Sequence, residues 1–253
     1  MSRGLAGVVL AAGAGTRLRP LTLLRPKPLC PVADVPLIDR AIARLSPYVE
    51  DVAVNVHHHR VSMERHLARR THLSVEEPQA LGTAGALGHL REWVAGRDVL
   101  VTNADAYLSG TLEPLVRDWD HASPRLLVMH VGAPADFGEE RYVGACLLPW
   151  RHVERLEPVP SGLYEVMWRD CATRRDISFA RHDGTAIDCG TPRDYLMANL
   201  HASGGRSVVG AGAEVHGELV RSVVWPGCVV EPGERLVEQI RADDGLTVDA
   251  TLG

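Results

Sequence analysis

Apolar residues in the first hundred positions alternate between unbroken runs and a helical spacing. Gly4 to Leu10 is a short, nearly continuous apolar run, which predicts a strand covered on both faces. Between Pro36 and Leu45 the apolar residues are Leu37, Ile38, Ala41, Ile42 and Leu45, a single helical stripe. Val52–Val56 then reads as a strand, residues 61–70 as a helix and Leu73–Val75 as a strand. Residues 83–95 predict a helix with Thr83 as its N-cap, and Val99–Thr102 a further buried strand. Such alternation implies parallel β-α-β units joined by right-handed crossovers. The expected fold is α/β, a doubly wound, mostly parallel sheet whose ligands gather beyond the C-terminal ends of the strands.

The pattern changes near the C-terminus. From Val208 to Leu236 small and branched apolar residues are punctuated by glycine, and Val209/Val215, Val224/Val230 and Val230/Leu236 each lie six positions apart. A six-residue period with turn glycines predicts a short left-handed parallel β-helix of the hexapeptide type. The expected organisation is therefore a main domain over residues 1–203 and a β-helical tail over 204–253.

Composition narrows the function. The 253 residues carry a formal charge of −5, so no broad basic field exists and nucleic acid is not an expected partner. No run approaches the roughly 20 apolar residues that cross a bilayer, and the N-terminus lacks the pattern of a secretory peptide, so the expected location is the cytoplasm, away from the membrane. Five scattered cysteines without C-x-x-C spacing predict reduced packing residues. The histidine run His57–His59 predicts a solvated turn, because neighbours at a strand end alternate in direction and do not converge on one ion.

Candidate chemistry begins right after the first strand, where Gly13-Ala-Gly15 precedes Arg17, Arg19, Arg25 and Lys27. Glycines let backbone N–H groups approach an anion, and the cations neutralise its charge. Lys27 is the sole lysine among 27 basic residues, a compact ammonium suited to phosphate oxygens as a point charge. The spacing is neither a P-loop nor a dinucleotide fingerprint.

The whole segment Leu10–Leu29, with Leu-Ala-Ala-Gly-x-Gly-Thr-Arg-Leu-Arg-Pro-Leu-Thr and Pro-Lys-Pro-Leu, resembles the opening motif of the sugar-1-phosphate nucleotidyltransferases. Three further segments resemble that family in the same order: residues 77–87, its base-binding loop; Thr102-Asn-Ala-Asp105, its metal aspartate; and residues 187–195, its second metal aspartate. The resemblance implies a Rossmann-like nucleotidyltransferase domain and a reaction of a nucleoside triphosphate (NTP) with a sugar-1-phosphate. A sugar-phosphate oxygen attacks the α-phosphorus, pyrophosphate leaves, and an NDP-sugar forms. Catalysis of this kind needs in-line positioning and charge cancellation. By the same resemblance, Leu10, Ala11, Ala12, Gly13, Gly15, Thr16, Arg17, Glu77, Gly82 and Thr83 bind the nucleotide. Arg17, Lys27 and Asp105 are catalytic, and Asp105 and Asp188 hold Mg2+. Gly144 and Glu165 resemble residues that receive the sugar.

Glu77 stands where similar uridylyltransferases carry Gln. A carboxylate accepts the two adjacent donors of guanine, which leans the expected substrate toward GTP and a GDP-mannose-type product. The resemblance breaks at the family's second lysine, normally in a Glu-Lys-Pro segment, and the stretch 130–142 is shorter than its counterpart. Arg141, Arg151 and Arg155 are the candidate replacements. The departures keep two alternatives open, another phosphorylated acceptor such as N-acetylmuramate-1-phosphate or phosphocholine, and a non-catalytic nucleotide-sugar-binding regulatory subunit. β-Helical tails often pack on copies of themselves, so a homo-oligomer is expected.

Overall fold

Seven strands make the main sheet, in the order Ser178–Arg181, Arg125–Ala135, Gly138–Leu148, Val99–Asn103, Ala6–Leu10, Val52–Val56, His72–Val75. The computed structural model describes residues 4–251. Ala6–Leu10 pairs in parallel with both Val52–Val56 and Val99–Asn103, and His72–Val75 extends the parallel set. These central strands are apolar and buried almost throughout, as strands covered on both faces must be. The sheet is mixed. Gly138–Leu148 runs antiparallel to both of its neighbours, an arrangement the strand-helix alternation did not forecast. It forms a hairpin with Arg125–Ala135, and the two eleven-residue strands are separated by two residues.

Contacts divide the chain into two compact units that interleave in sequence. The first comprises the chain up to Gly13, Ala41–Ala104 and Ser109–Thr185; the second comprises Ala14–Arg40, Asp105–Leu108 and the chain from Ala186 onward. The 204–253 segment thus shares a unit with residues 14–40. Each unit has its own core. In the first, Val8, Val101, Leu126 and Cys146 from the sheet pack with Leu87, Leu90 and Trp168. In the second, Leu18, Leu21, Cys30 and Val32 pack with Tyr195, Trp225 and Ile240. The five cysteines are free and buried. Burial pushes the thiols of Cys30, Cys146 and Cys189 up to about 12, so they stay protonated and inert at neutral pH.

The helix predicted over 83–95 is two pieces, Gly82–His89 and Arg91–Val94. Thr83 is not its N-cap. Leu81 holds that position, and the Thr83 hydroxyl instead accepts the N–H of Leu163 at 2.8 Å. A face of Gly82, Gly85 and Gly88 lies against the backbone of residues 157–161: a Cβ on Gly85 would stand 2.2 Å from the Val159 carbonyl oxygen. Glycine is required there by close approach, and at Gly82 also by a φ of 70°.

In the tail, strands pair in parallel with partners further along the chain. Val208–Val209 pairs with Val223–Val224, which pairs with Gln239–Arg241. Glu214–Val215 pairs with Val229–Val230, and Glu218–Val220 with Arg235–Val237. The six-residue spacing of the sequence is the step between consecutive short strands. The last strand, Thr247–Asp249, adds antiparallel to Gln239–Arg241.

Candidate active site

The second unit holds six of the expected residues, Gly15, Thr16, Arg17, Lys27, Asp105 and Asp188. Gly15, at φ 60°, opens a 3-10 turn over Thr16–Leu18. Its carbonyl accepts the Thr22 hydroxyl at 2.9 Å, and a Cβ added to it would press on Thr22 and Lys27 at 3.0 and 3.1 Å. Leu18 and Leu21 plunge into the core, which leaves Arg17 pointing outward. A second 3-10 turn, Lys27–Leu29, sets Lys27 in a buried position. A three-residue antiparallel ladder brings the carboxylates to it: Ala106–Leu108 pairs with Ala186–Asp188, Ala106 opposite Asp188, and the Cys189 N–H donates to the Asp105 carbonyl.

The result is an ammonium between two carboxylates. Lys27 Nζ lies 3.2 Å from Asp105 Oδ2 and 3.0 Å from Asp188 Oδ1, and Arg17 Nη2 donates to Asp188 Oδ2 at 2.9 Å. Burial is the largest single influence on Lys27 and works to lower its pKa. Attraction and hydrogen bonding to Asp105 and Asp188 together outweigh it and leave the pKa above the ordinary lysine value. For Asp188, burial again acts most strongly, upward, but Lys27 and Arg17 hold its carboxyl below the usual carboxylate range. The Arg17–Asp188 pair is more than half exposed on both sides, so it contributes only about 0–1 kcal/mol to stability.

Gly190 is a residue the sequence reading missed. Its missing Cβ would lie 2.9 Å from Arg17 Nη2 and 3.0 Å from Asp188 Oδ2, so glycine leaves room for that pair. Arg25, expected in the basic cluster, is turned away from it and pairs with Asp243.

The first unit holds the rest. Leu10 ends the central strand, and its carbonyl accepts the Ala104 N–H at 3.0 Å. Ala11 and Ala12 are buried, whereas Gly13 is exposed and a Cβ on it would meet nothing within 4 Å. The Ala11 N–H donates to Asn55 Oδ1 at 2.7 Å, Asn55 Nδ2 donates to Glu76 Oε1 at 2.8 Å, and the Leu81 N–H donates to Glu76 Oε2 at 2.7 Å. Glu76 is 0% exposed. This buried relay ties the end of the first strand to the loop that precedes Gly82, and its Asn55 and Glu76 are not among the residues expected from the sequence. Asn55 carried a signal, as the lone polar residue in Val52–Val56. Glu77 is exposed and forms an ion pair with Arg60 at 2.6 Å. Gly144 has a φ of 91° and lies against the Asn103 side chain; Glu165 is exposed, in a short π-helical turn over Tyr164–Trp168.

The family model for nucleotidyl transferases matches residues 6–142, more than half of the chain. The chain belongs to the nucleotidyl transferase family. Among curated proteins, this nucleotidyl transferase is 38% identical over 126 residues to N-acetylmuramate alpha-1-phosphate uridylyltransferase of Caulobacter vibrioides, a match covering 45% of the chain and 52% of that protein. The match thus spans about half the relative's length. It is 26% identical over 270 residues to mannose-1-phosphate guanylyltransferase of Mycobacterium tuberculosis, covering 91% of the chain and 72% of the relative. Its fold is similar to that of UDP-glucose pyrophosphorylase from Acinetobacter baumanii, with a TM-score of 0.64 at 20% identity over 79% of this chain and 93% of that one. No helix among the described residues is long and apolar enough to cross a membrane.

Proposed function

We propose that this nucleotidyl transferase joins a nucleoside triphosphate to a sugar-1-phosphate, giving an NDP-sugar and pyrophosphate. The observation that carries the reading is the Lys27 ammonium held between Asp105 and Asp188 with Arg17 alongside. Reaction at the α-phosphorus breaks its bond to the bridging oxygen of the leaving pyrophosphate. The protein's task is to place the triphosphate and cancel its charge. In this reading Lys27 grips phosphate oxygens near the reacting phosphorus, and Arg17, exposed at the turn, meets the departing pyrophosphate. By their motifs, Gly13, Gly15 and Thr16 are assigned to the phosphates, and Glu77, Gly82 and Thr83 to the base.

Asp105 and Asp188 fit a Mg2+ ion. Both carboxylates are about half exposed and already face one shared cation, and magnesium is commonly held by one or two carboxylates with phosphate oxygens and water completing its shell. When bound, it supplies positive charge to the phosphates.

For the base, Glu77 supports GTP and a GDP-sugar product. A second reading, uridylyl transfer to N-acetylmuramate 1-phosphate, is favoured by the 38% identity to the Caulobacter enzyme and by the short turn between Ala135 and Gly138, where the segment bearing a second lysine is absent. The third-neighbour parallel pairing of the tail strands supports its reading as a short β-helix.

Pyrophosphate release, measured with GTP, UTP, dTTP, CTP and ATP against a panel of sugar-1-phosphates with and without magnesium, tests the proposal. Metal-dependent release with GTP and mannose-1-phosphate supports the first reading, and release with UTP and N-acetylmuramate 1-phosphate the second. No release with any pair overturns the enzymatic reading.

A further inference from the structure

The segment that carries Lys27 is held on both sides by the C-terminal part of the chain. Before it, the Arg25 guanidinium carbon stands 4.3 Å from the centroid of the Trp225 ring, and its Nε donates to Asp243 Oδ2 at 2.9 Å while Nη2 pairs with the same carboxylate. After it, the Tyr195 hydroxyl donates to the Pro31 carbonyl and accepts the Trp225 indole N–H at 2.9 Å. Further along, the Ala33 N–H donates to Asn199 Oδ1 at 2.9 Å.

Arg25 lies in a basic run of the kind that meets phosphates, yet its fork is spent on a carboxylate and its plane on an indole. Trp225 and Tyr195 are each 0% exposed, so this end of the contact is fixed by packing. Two residues on, Lys27 sits between Pro26 and Pro28, whose rings restrict φ and leave the backbone little freedom to absorb a displacement. A planar bidentate pair gives orientation as well as attraction, and stacking on the indole adds a cation–π contact.

We infer that Arg25, Trp225 and Asp243 form an anchor that sets where the Lys27 ammonium stands, which makes the C-terminal segment part of the phosphate-gripping apparatus. The inference rests on the reading that Lys27 grips the triphosphate. Arg25 and Asp243 are positioning residues in this scheme and act through Lys27.

The test is calorimetric titration of the full chain with Mg·GTP and Mg·UTP, using wild type, Lys27→Ala, Asp243→Asn and the double variant. Asp243→Asn is expected to raise Kd for the better-bound triphosphate about tenfold, and Asp243→Glu to restore most of the affinity. In the Lys27→Ala background, Asp243→Asn is expected to change nothing further, a non-additivity that a general loss of stability does not produce. Arg25→Lys keeps the charge but loses the fork and the stack, and is expected to weaken binding in the same way; it serves if Asp243→Asn does not fold. Wild-type affinity in Asp243→Asn or Arg25→Lys, alongside a loss in Lys27→Ala, overturns the anchor alone, as do effects that simply add. Wild-type affinity in Lys27→Ala overturns the phosphate role of Lys27, and the anchor's purpose with it.

Discussion

Two polar clusters, one in each compact unit, are built in opposite ways. In the first, Asn55 and Glu76 are buried and every named hydrogen bond of the relay is made to protein. In the second, Asp105, Asp188 and Arg17 stand about half exposed or more, around a single buried ammonium. A buried, satisfied carboxylate fixes backbone, and its cost of desolvation is offset only while all its partners remain. An exposed pair such as Arg17–Asp188 contributes little to folding. The first arrangement should therefore fail by unfolding, and the second by losing chemistry.

Lys27→Ala offers the sharpest break. On the proposed function it is expected to lower kcat/KM by about 10²- to 10³-fold, near 3–4 kcal/mol of transition-state stabilisation, with a smaller loss of stability, since its carboxylate partners reach water. Equal losses of activity and stability would erase the contrast between the units. Next in size is Glu76→Ala, which strands the Asn55 amide and the Leu81 N–H; denaturant unfolding is expected to show a loss of about 2 kcal/mol. Its neighbour supplies the control. Glu77→Ala, at an exposed ion pair, is expected to change stability by no more than about 0.5 kcal/mol, so similar losses for the two would refute the assignment of the buried carboxylate.

A pH series refines the second unit. The Asp188 pKa is depressed, so the stability it contributes is present above the ordinary carboxylate value near ~4 and is lost as pH falls through the depressed one. The Lys27 pKa is raised, so its contribution is present below the ordinary lysine value near ~10.4 and is lost as pH rises through the raised one. Wild-type stability should therefore decline below about pH 4 more steeply than that of Asp188→Asn. Identical acid slopes would mean that the carboxylate gains nothing from Lys27 and Arg17. The smallest effect expected is from Gly190→Ala, where the added methyl meets the movable ends of Arg17 and Asp188 and should shift KM modestly while leaving the fold intact.

Much of this was legible in the residues. The sequence predicts Val52–Val56 with its observed bounds because a strand buried on both faces shows itself as a nearly continuous apolar run, broken here by Asn55 alone. Arg17, Lys27, Asp105 and Asp188 were named before their proximity was known, since the motifs that carry them are local. What stayed hidden depended on partners far along the chain. Glu76 and Glu77 are adjacent and chemically identical, and the buried one is distinguished by Asn55, whose position in a strand pattern gives no direction. Arg25 reads as one more phosphate-facing cation until Asp243 and Trp225 are seen beside it. The antiparallel hairpin of Arg125–Ala135 and Gly138–Leu148 was missed for a similar reason, because pairing direction is set by topology and not by hydrophobic period.

The ladder between Ala106–Leu108 and Ala186–Asp188 has a consequence for how such a chain can change. Its two strands are neighbours in space although a long stretch of sequence separates them, and that stretch begins and ends at the Ser109 N–H to Thr185 carbonyl hydrogen bond. Exposed turns between those two points, such as the two residues that join Arg125–Ala135 to Gly138–Leu148, can change in length while the ladder that spaces the acidic pair is preserved. On the proposed function, such turns are where the chain can vary without disturbing Asp105 and Asp188.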